Sequence, residues 1–359
     1  MNSSKKIKAL LLKVLTRKKT VENFDISSVK KVLFLRYDRI GDMIITTPVF
    51  RELKKNRSDI EISVLASKTN FDVIKHNPYV DKIYINHKHN FLSDLLVLFK
   101  IRKRKIDVCV EFDHSVVPHA IFRLNIIKPK FIISVRKDGR YGLKGSDLKL
   151  YDFYTPTIRG EHASERWMHT LKPIGVETNN LNYDVFISKT NEIKALDFIE
   201  KIYSKLKIGF NFEGAVNGKK ISNNKFVKFC NSVNKRFPNA SIIVICLPEK
   251  IIQMQKLIKK ECLNSVLVSY PTSSILDVAA LISKLDIVVS PDTSIVHIAS
   301  AFNIPVISIH ENNNNSYSLF APKSSISYTI FSDSMNSIEN FNIGLVLKNL
   351  YKVIENYED

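Results

Sequence analysis

Three segments of the chain place reactive side chains where a strand gives way to a loop or helix. The first is Arg36-Tyr37-Asp38-Arg39-Ile40-Gly41-Asp42, directly after the apolar run Lys31–Leu35. Gly41 permits a tight turn and close backbone approach. Asp42 then stands at the start of a helix, with Arg36 and Arg39 as cations beside it. A carboxylate there has two readings: it removes a proton from a hydroxyl as a general base, or it caps the helix. The second segment is Ser290-Pro291-Asp292-Thr293-Ser294-Ile295-Val296-His297, between an apolar strand and a helix. The free N–H groups and dipole of a helix start favour an anion. Thr293 and Ser294 add hydroxyls, and His297 lies one turn in. An ordinary capped helix with a satisfied histidine is the plainer reading; the convergence of these groups favours a pyrophosphate. The third runs from Gly209 to Lys220 and contains Asn211, Gly214 and Lys219. Its lysines are able to neutralise a phosphate, although a lysine in a glycine-rich loop is commonly just solvated.

The elements around these segments alternate strand and helix. Expected strands are Lys31–Leu35, Glu61–Leu65, Lys82–Ile85, Ile106–Glu111 and Phe131–Val135 in the first half. Expected helices there are Ile44–Lys55, Phe71–Lys75 and Phe91–Arg104, the last ending in a basic run. The glycine-rich, basic stretch Lys137–Asp147 reads as a loop, and Glu161–Pro173 as helical. The alternation restarts with strands at Leu206–Phe210, Ser241–Leu247, Val266–Val268, Asp286–Val289 and Pro305–Ile309. Helices are expected at Asn224–Arg236, Ile251–Glu261, Ile275–Lys284, Ser294–Phe302 and Ser337–Tyr357. Such alternation predicts two doubly wound parallel sheets in tandem, with ligand at the carboxyl ends of the strands and a cleft between the domains. The expected organisation is a basic N-terminal segment over 1–20, domains over 30–175 and 191–335, a linker over 176–190, and a C-terminal helix over 336–359.

Composition narrows the partners. With 54 Lys and Arg against 35 Asp and Glu, the net charge is +19, which points to polyanions. Met1–Thr20 carries seven of the bases (Lys5, Lys6, Lys8, Lys13, Arg17, Lys18, Lys19) and no acid. Ile7, Leu10, Leu11 and Val14 share one helical face there. This segment reads either as a foot on an anionic membrane surface or as a basic tail or helix docked on its own domain. No stretch reaches the ~18 to 20 apolar residues of a membrane span, and no signal-peptide pattern is seen, so a cytoplasmic location is expected. Cys109, Cys230, Cys246 and Cys262 are scattered, which disfavours a disulfide framework or zinc site; Cys109 and Cys246 read as core residues. There is no dinucleotide-binding glycine pattern, P-loop, nucleophile elbow or zinc-protease helix. No Asp-x-Asp pair supports a metal-dependent sugar transferase, and no nucleic-acid motif accompanies the charge.

Taken together, the segments resemble glycosyltransferase family nine, the ADP-heptose:lipopolysaccharide heptosyltransferases, over roughly Lys30 to Lys323. The strongest likeness is Asp292-Thr293-Ser294-Ile295-Val296-His297 with the small and apolar residues up to Pro305-Val306. Gly41-Asp42 followed by Thr47-Pro48, Lys219 in its loop, and His162 four residues before Arg166 also fit the family pattern. The departures are Ser294 in place of a glycine, and His310-Glu311 with Asn312 to Asn315 where Phe-Gly is usual. The resemblance implies a GT-B fold, two Rossmann-like domains facing a central cleft, and inverting transfer without metal or cofactor, the nucleotide sugar being a substrate. It makes Asp42 the general base. It assigns the donor to Lys219, Asp292, Thr293, Ser294 and His297, with Asn211 and Gly214 of the loop and Glu249 near the ribose. His162 and Arg166 are implied as binders of an anionic acceptor; from their charge and place, Lys137 and Arg140 of the basic loop, with Arg36 and Arg39, are expected to help. The expected reaction moves a heptose from ADP-heptose to a lipopolysaccharide core, at the inner face of the bacterial inner membrane. A non-catalytic nucleotide-sugar or glycan-binding module and a nucleotide-sugar epimerase of the same fold are the alternatives.

Overall fold

A computed structural model describes residues 3–16, 24–87, 90–141, 143, 147–156, 158–178, 180–212, 214 and 218–358. Arg17, Lys18, Lys19, Gly142, Lys144 and Gly145, noted above for their charge or flexibility, lie outside them, as do Glu213 and 215–217 of the third segment. The chain divides into two compact units, 1–181 and 182–359.

The first unit contains α1 (Ser3–Leu15), β1 (Lys31–Leu35), α2 (Ile40–Asn56), β2 (Glu61–Ser67), β3 (Lys82–Asn86), α3 (Phe91–Lys103), β4 (Val108–Glu111), α4 (Pro118–Ile127), β5 (Phe131–Ser134), β6 (Phe153–Tyr154) and α5 (Ala163–Met168). Its six strands lie in the order β3-β2-β1-β4-β5-β6, all parallel. The order reverses between β1 and β4, so the loops leaving these two strands diverge and open a crevice at their carboxyl ends. Beneath it lies an aromatic layer. Phe34 meets Phe50 at 5.0 Å and Phe112 at 6.0 Å between ring centroids, and Phe112 meets Trp167 at 5.7 Å.

The second unit contains α6 (Lys189–Ile199), β7 (Leu206–Asn211), α7 (Asn223–Arg236), β8 (Ala240–Ile245), α8 (Ile251–Lys260), β9 (Val266–Val268), α9 (Ile275–Ile282), β10 (Ile287–Pro291), α10 (Ser294–Ala301), β11 (Val306–His310), α11 (Asn314–Phe320), β12 (Ser327–Phe331) and α12 (Ile343–Glu358). Its strand order, β12-β11-β10-β7-β8-β9, is again wholly parallel. Here the reversal falls between β7 and β10. Phe210 on β7 packs on Phe226 and Phe229 of α7 at 5.1 and 4.8 Å. Burying each such ring stabilises the sheet by about 1.5–3 kcal/mol, and that rigidity fixes the end of β7 where the loop begins.

Several elements differ from the sequence expectation. α2 begins at Ile40 and runs through Pro48 instead of starting at Ile44. Proline cannot donate to the Ile44 carbonyl; the Thr47 hydroxyl does so instead at 2.7 Å. The stretch 161–173 is a short α5 followed by a 3-10 turn, His169–Ile174, and 71–74 is likewise 3-10. The last helix begins at Ile343, not near 337. α4, α6, α11, β6 and the edge strand β12 were not expected. All four cysteines are free; Cys109 and Cys230 are buried, Cys246 is half-buried and Cys262 exposed. Among the described residues no helix is long and apolar enough to cross a membrane.

Candidate active site

Each unit gathers a polar cluster at its own strand-order reversal. In the second unit the loop after β7 meets the loop after β10. Lys219 Nζ donates to Asp292 Oδ2 at 2.5 Å and to the Asp292 carbonyl at 3.1 Å. An ammonium has three protons, so one remains for a ligand. Asn211 Nδ2 donates to Ser290 Oγ at 3.0 Å and Thr293 Oγ1 at 3.1 Å. Thr293 is the N-cap of α10, its hydroxyl accepting from the Ile295 amide at 3.3 Å. Ser294, half-buried, is the first helical residue. Gly214 lets the loop close on this cap. A Cβ there would lie 2.9 Å from Thr293 Cγ2 and 3.1 Å from Lys219 Cβ.

Electrostatics in this cluster favour a charged Asp292. Burial alone would raise its pKa, but His310, Lys219 and His297 outweigh burial and hold it below the usual value. Burial pushes His310 down to about 4, against the pull of Asp292, so the imidazole is neutral near pH 7. His310 ends β11, and its ring packs edge-on against Tyr317 at 5.2 Å. His297 is buried in α10, edge-on to Tyr183 at 6.1 Å.

Two further donor expectations have the following surroundings. Asn211 is 4% exposed and both its N–H bonds are spent within the protein, so its amide nitrogen positions Thr293. Glu249, expected near the ribose, stands exposed in the one-turn helix Pro248–Lys250 after β8.

In the first unit the cluster is built on Arg36. Its guanidinium lies 3.9 Å from the Trp167 ring and 5.3 Å from Phe112. Nη1 donates to Asp38 Oδ2 at 2.8 Å, Nε donates to the Asp42 carbonyl at 3.3 Å, and Nη2 lies 3.7 Å from Asp42 Oδ1. The N-cap of α2 is Arg39, which is exposed and makes no side-chain cap. Asp42 therefore sits in the first turn without acting as the cap, its side chain 20% exposed.

The remaining acceptor expectations divide. Lys137 is not available to an acceptor: its side chain is fully buried and paired with Glu111, and it also donates to the Asp113 carbonyl. Arg36, 2% exposed, is likewise a positioning group. His162 does not share a helical face with Arg166. It is the N-cap of α5, accepting from Ser164 through Nδ1, in a capping box completed by Glu165. Arg166 Nη1 lies 3.3 Å from His114 Nδ1. Arg140 is exposed, its guanidinium over Tyr141 at 4.9 Å.

Glu111, Asp113 and His114, which sequence reasoning passed over, complete this cluster. Burial opposes charge on Glu111, but Lys137 and the hydrogen bonds it accepts keep its pKa low. Burial and the neighbouring Glu111 push Asp113 up to about 9. Burial and then Arg166, Arg36 and Lys137 bring His114 down to about 4. Burial, with Asp42 and Glu111, also raises Asp38 against the pull of Arg36. The available signal was an acid at a strand end followed by Asp-His. Among the described residues, no group of three or more His, Cys, Asp or Glu is arranged to hold a metal ion.

Comparison with known proteins follows this geometry. The family model described as "Glycosyltransferase family 9 (heptosyltransferase)" matches residues 100–348. The lipopolysaccharide core heptosyltransferase OpsX of Haemophilus influenzae is 25% identical over 303 residues, 79% of this chain and 80% of its own. A glycosyl transferase family 9 structure from Veillonella parvula superposes with TM-score 0.75 at 15% identity, covering 91% of this chain and 97% of that one. The ADP-heptose lps heptosyltransferase II of Escherichia coli gives TM-score 0.71 at 13% identity, over 92% and 100%. At these identities the likeness to solved structures concerns the fold, a GT-B arrangement of two Rossmann-like units.

Proposed function

Because the chain belongs to glycosyltransferase family 9, the heptosyltransferase family, we propose that it moves a heptose, or a related sugar, from ADP-heptose to the core of a lipopolysaccharide or lipooligosaccharide. The observation that carries the donor half is Lys219 with a proton to spare beside the start of α10. A diphosphate leaving group gathers negative charge as the bond to the anomeric carbon breaks. An ammonium and a helix start already aimed at that charge stabilise it without reorganising, so no metal is required in this reading. Asp292 orients Lys219, and Asn211 orients Thr293.

In the acceptor half, Asp42 removes the hydroxyl proton as the new bond forms to the anomeric carbon with inversion. Its carboxylate is partly exposed, outside the helix cap, with Arg36 setting its position. Arg39 and Arg140, both exposed, meet a phosphorylated acceptor, together with Arg166, which is held between His114 and Glu161. The acceptor is lipid-linked, which puts the enzyme at the inner face of the bacterial inner membrane, with nucleic acid as no partner.

The test is a mass-spectrometric assay of the purified protein against a panel of nucleotide heptoses and hexoses with truncated core acceptor. Transfer of heptose with release of ADP supports the reading. Release of a different nucleotide would correct the donor, and product from the nucleotide sugar alone would favour an epimerase.

A further inference from the structure

Most of the exposed large apolar side chains of the first unit, Ile26 and Ile158 apart, fall on α1, α3 and α4, with α1 and α3 each packed on α4. On α3 the outward row is Leu92, Leu96 and Phe99, the i, i+4, i+7 spacing of one face, with Phe91 beside it. They are 72%, 71%, 48% and 64% exposed. The other face, with Leu98 and Ile101, is buried in the unit. A helix lying on a water-facing surface ordinarily turns a polar face outward; α3 turns Leu and Phe. The row continues onto α4, where Phe91 meets Phe122 at 6.0 Å. It continues again onto α1, which packs on α4. There Leu12 is buried in the unit's core, while Ile7, Leu10, Leu11 and Val14 face outward. Asn125 Nδ2 holds α1 in that orientation, donating to the Leu15 carbonyl at 2.8 Å.

Charge indicates what covers this surface. The three helices contain one acid, Asp94. It is buried and paired with Arg123 at 3.0 Å. Around the apolar row stand exposed cations: Lys13 at the end of α1, Lys100, Arg102 and Lys103 at the end of α3, and Lys128 and Lys130 after α4. A second copy of this face would set cations against cations. An anionic bilayer suits both parts, since acyl chains accept Leu and Phe while headgroups accept Lys and Arg.

We propose that α1, α3 and α4 form one docking face for an anionic lipid bilayer, with the α3 row Leu92, Leu96, Phe99 as the part that enters the acyl boundary. The proposal rests on the reading of a lipid-linked acceptor and names the surface that would meet the membrane. Flotation of the full chain with vesicles tests it, using phosphatidylcholine alone or mixed with phosphatidylglycerol. The expected result is binding to the mixed vesicles, weakened by salt, and little binding to neutral ones. The combined variant Leu92→Ser, Leu96→Ser, Phe99→Ser is expected to lose about tenfold or more in binding. Its melting curve and its transfer to a soluble, delipidated core sugar should stay unchanged, because these side chains are outside the core and the site. Binding by the variant equal to that of the original chain overturns the proposal. So does a dimer that the variant converts to monomer while vesicle binding is untouched, because a second copy then covers the face. Absence of any vesicle binding alongside normal transfer to the soluble acceptor also overturns it, and leaves the glycosyltransfer reading standing.

Discussion

The ammonium of Lys219 lies 2.5 Å from Oδ2 of Asp292, and Asp292 keeps its charge in a half-buried position with that cation bonded to it. A carboxylate beside a diphosphate site would repel the ligand unless that charge is already neutralised. The pair therefore serves to aim one remaining N–H outward. Lys219→Ala removes the donor and leaves Asp292 facing the ligand uncompensated. Loss of one such electrostatic contact typically costs about 10²–10³-fold in turnover. Steady-state kinetics on the donor, together with calorimetric titration of ADP, should show both a slower reaction and weaker nucleotide binding. Unchanged donor kinetics would remove Lys219 from the site.

Gly214→Ala should weaken the same site without touching a charge. The new methyl would meet Thr293 Cγ2 at 2.9 Å and Lys219 Cβ at 3.1 Å, so either the helix cap or the lysine must move. The expected outcome is a higher donor KM with an acceptor KM that does not change. A wild-type donor KM would mean that the loop gives way without disturbing Thr293.

Asp42→Asn should fold like the original chain and lose about 10²–10⁴-fold in kcat. The fold is expected to survive because α2 is not capped by Asp42; its backbone carbonyl, which the variant retains, accepts from Thr46 at 2.7 Å and Arg36 at 3.3 Å. Matching melting curves and a slow turnover together support the general-base role. Near-normal turnover would send the role elsewhere.

How much of this was legible in the sequence follows from the type of contact. In a parallel sheet every strand points its carboxyl end the same way, so the loops after Leu35, Asn211 and Pro291 had to reach the active edge, and their alternation with helices announced it. Residue identity within one loop was equally visible: Thr293 before a helix is a cap, and it caps. Pairings between loops were not visible. Lys137 looked like a cation in a flexible basic loop, yet it turns inward to Glu111, far away in sequence. Nothing in the periodicity of Val108–Glu111 shows that its last side chain receives a lysine from beyond β5. The exit side of a helix start was also ambiguous. His162 and Arg166 are four apart, which suits one helical face, but the helix begins after His162 and turns it into the cap. The apolar face of α1 was readable, whereas its inward residue, Leu12, depends on α4, which the sequence reading did not contain.

Lys137→Met tests that inward turn. Removing one partner of a buried ion pair leaves the other charge unpaired, at a typical cost of about 3–5 kcal/mol. Denaturant melts should show a loss of that order, while the acceptor KM of the surviving folded protein stays near the original. Arg140→Ala, at an exposed position, should show the reverse pattern: an unchanged melt and a weaker acceptor. A stable Lys137→Met with a raised acceptor KM would restore Lys137 as a contact residue.

The pH dependence of stability should reveal Asp113. Burial and Glu111 push its carboxyl up to about 9 in the folded chain, from an ordinary 3.8. Between those values the folded state holds a proton that the unfolded chain has released, so stability falls as pH rises across that window. His114 and His310 act in the other direction. Burial takes each from 6.5 down to about 4, so the unfolded chain binds protons that the folded one refuses, and stability is lost as pH falls below 6.5. Below 6.5 two histidines oppose one aspartate and acidification destabilises; above it only the aspartate acts and alkalinity destabilises. Thermal stability should therefore peak near pH 6.5 and decline toward 9. Asp113→Asn keeps a neutral group of the same shape and should flatten the alkaline side while leaving the acid side in place. At about 2–4 °C per kcal/mol for a domain of 150–250 residues, the size of the first unit, the difference is readable in a series of melts from pH 5 to pH 9. The same alkaline slope in both proteins would show that Asp113 is ionised in the folded state, and that Lys137 neutralises both carboxylates of the cluster.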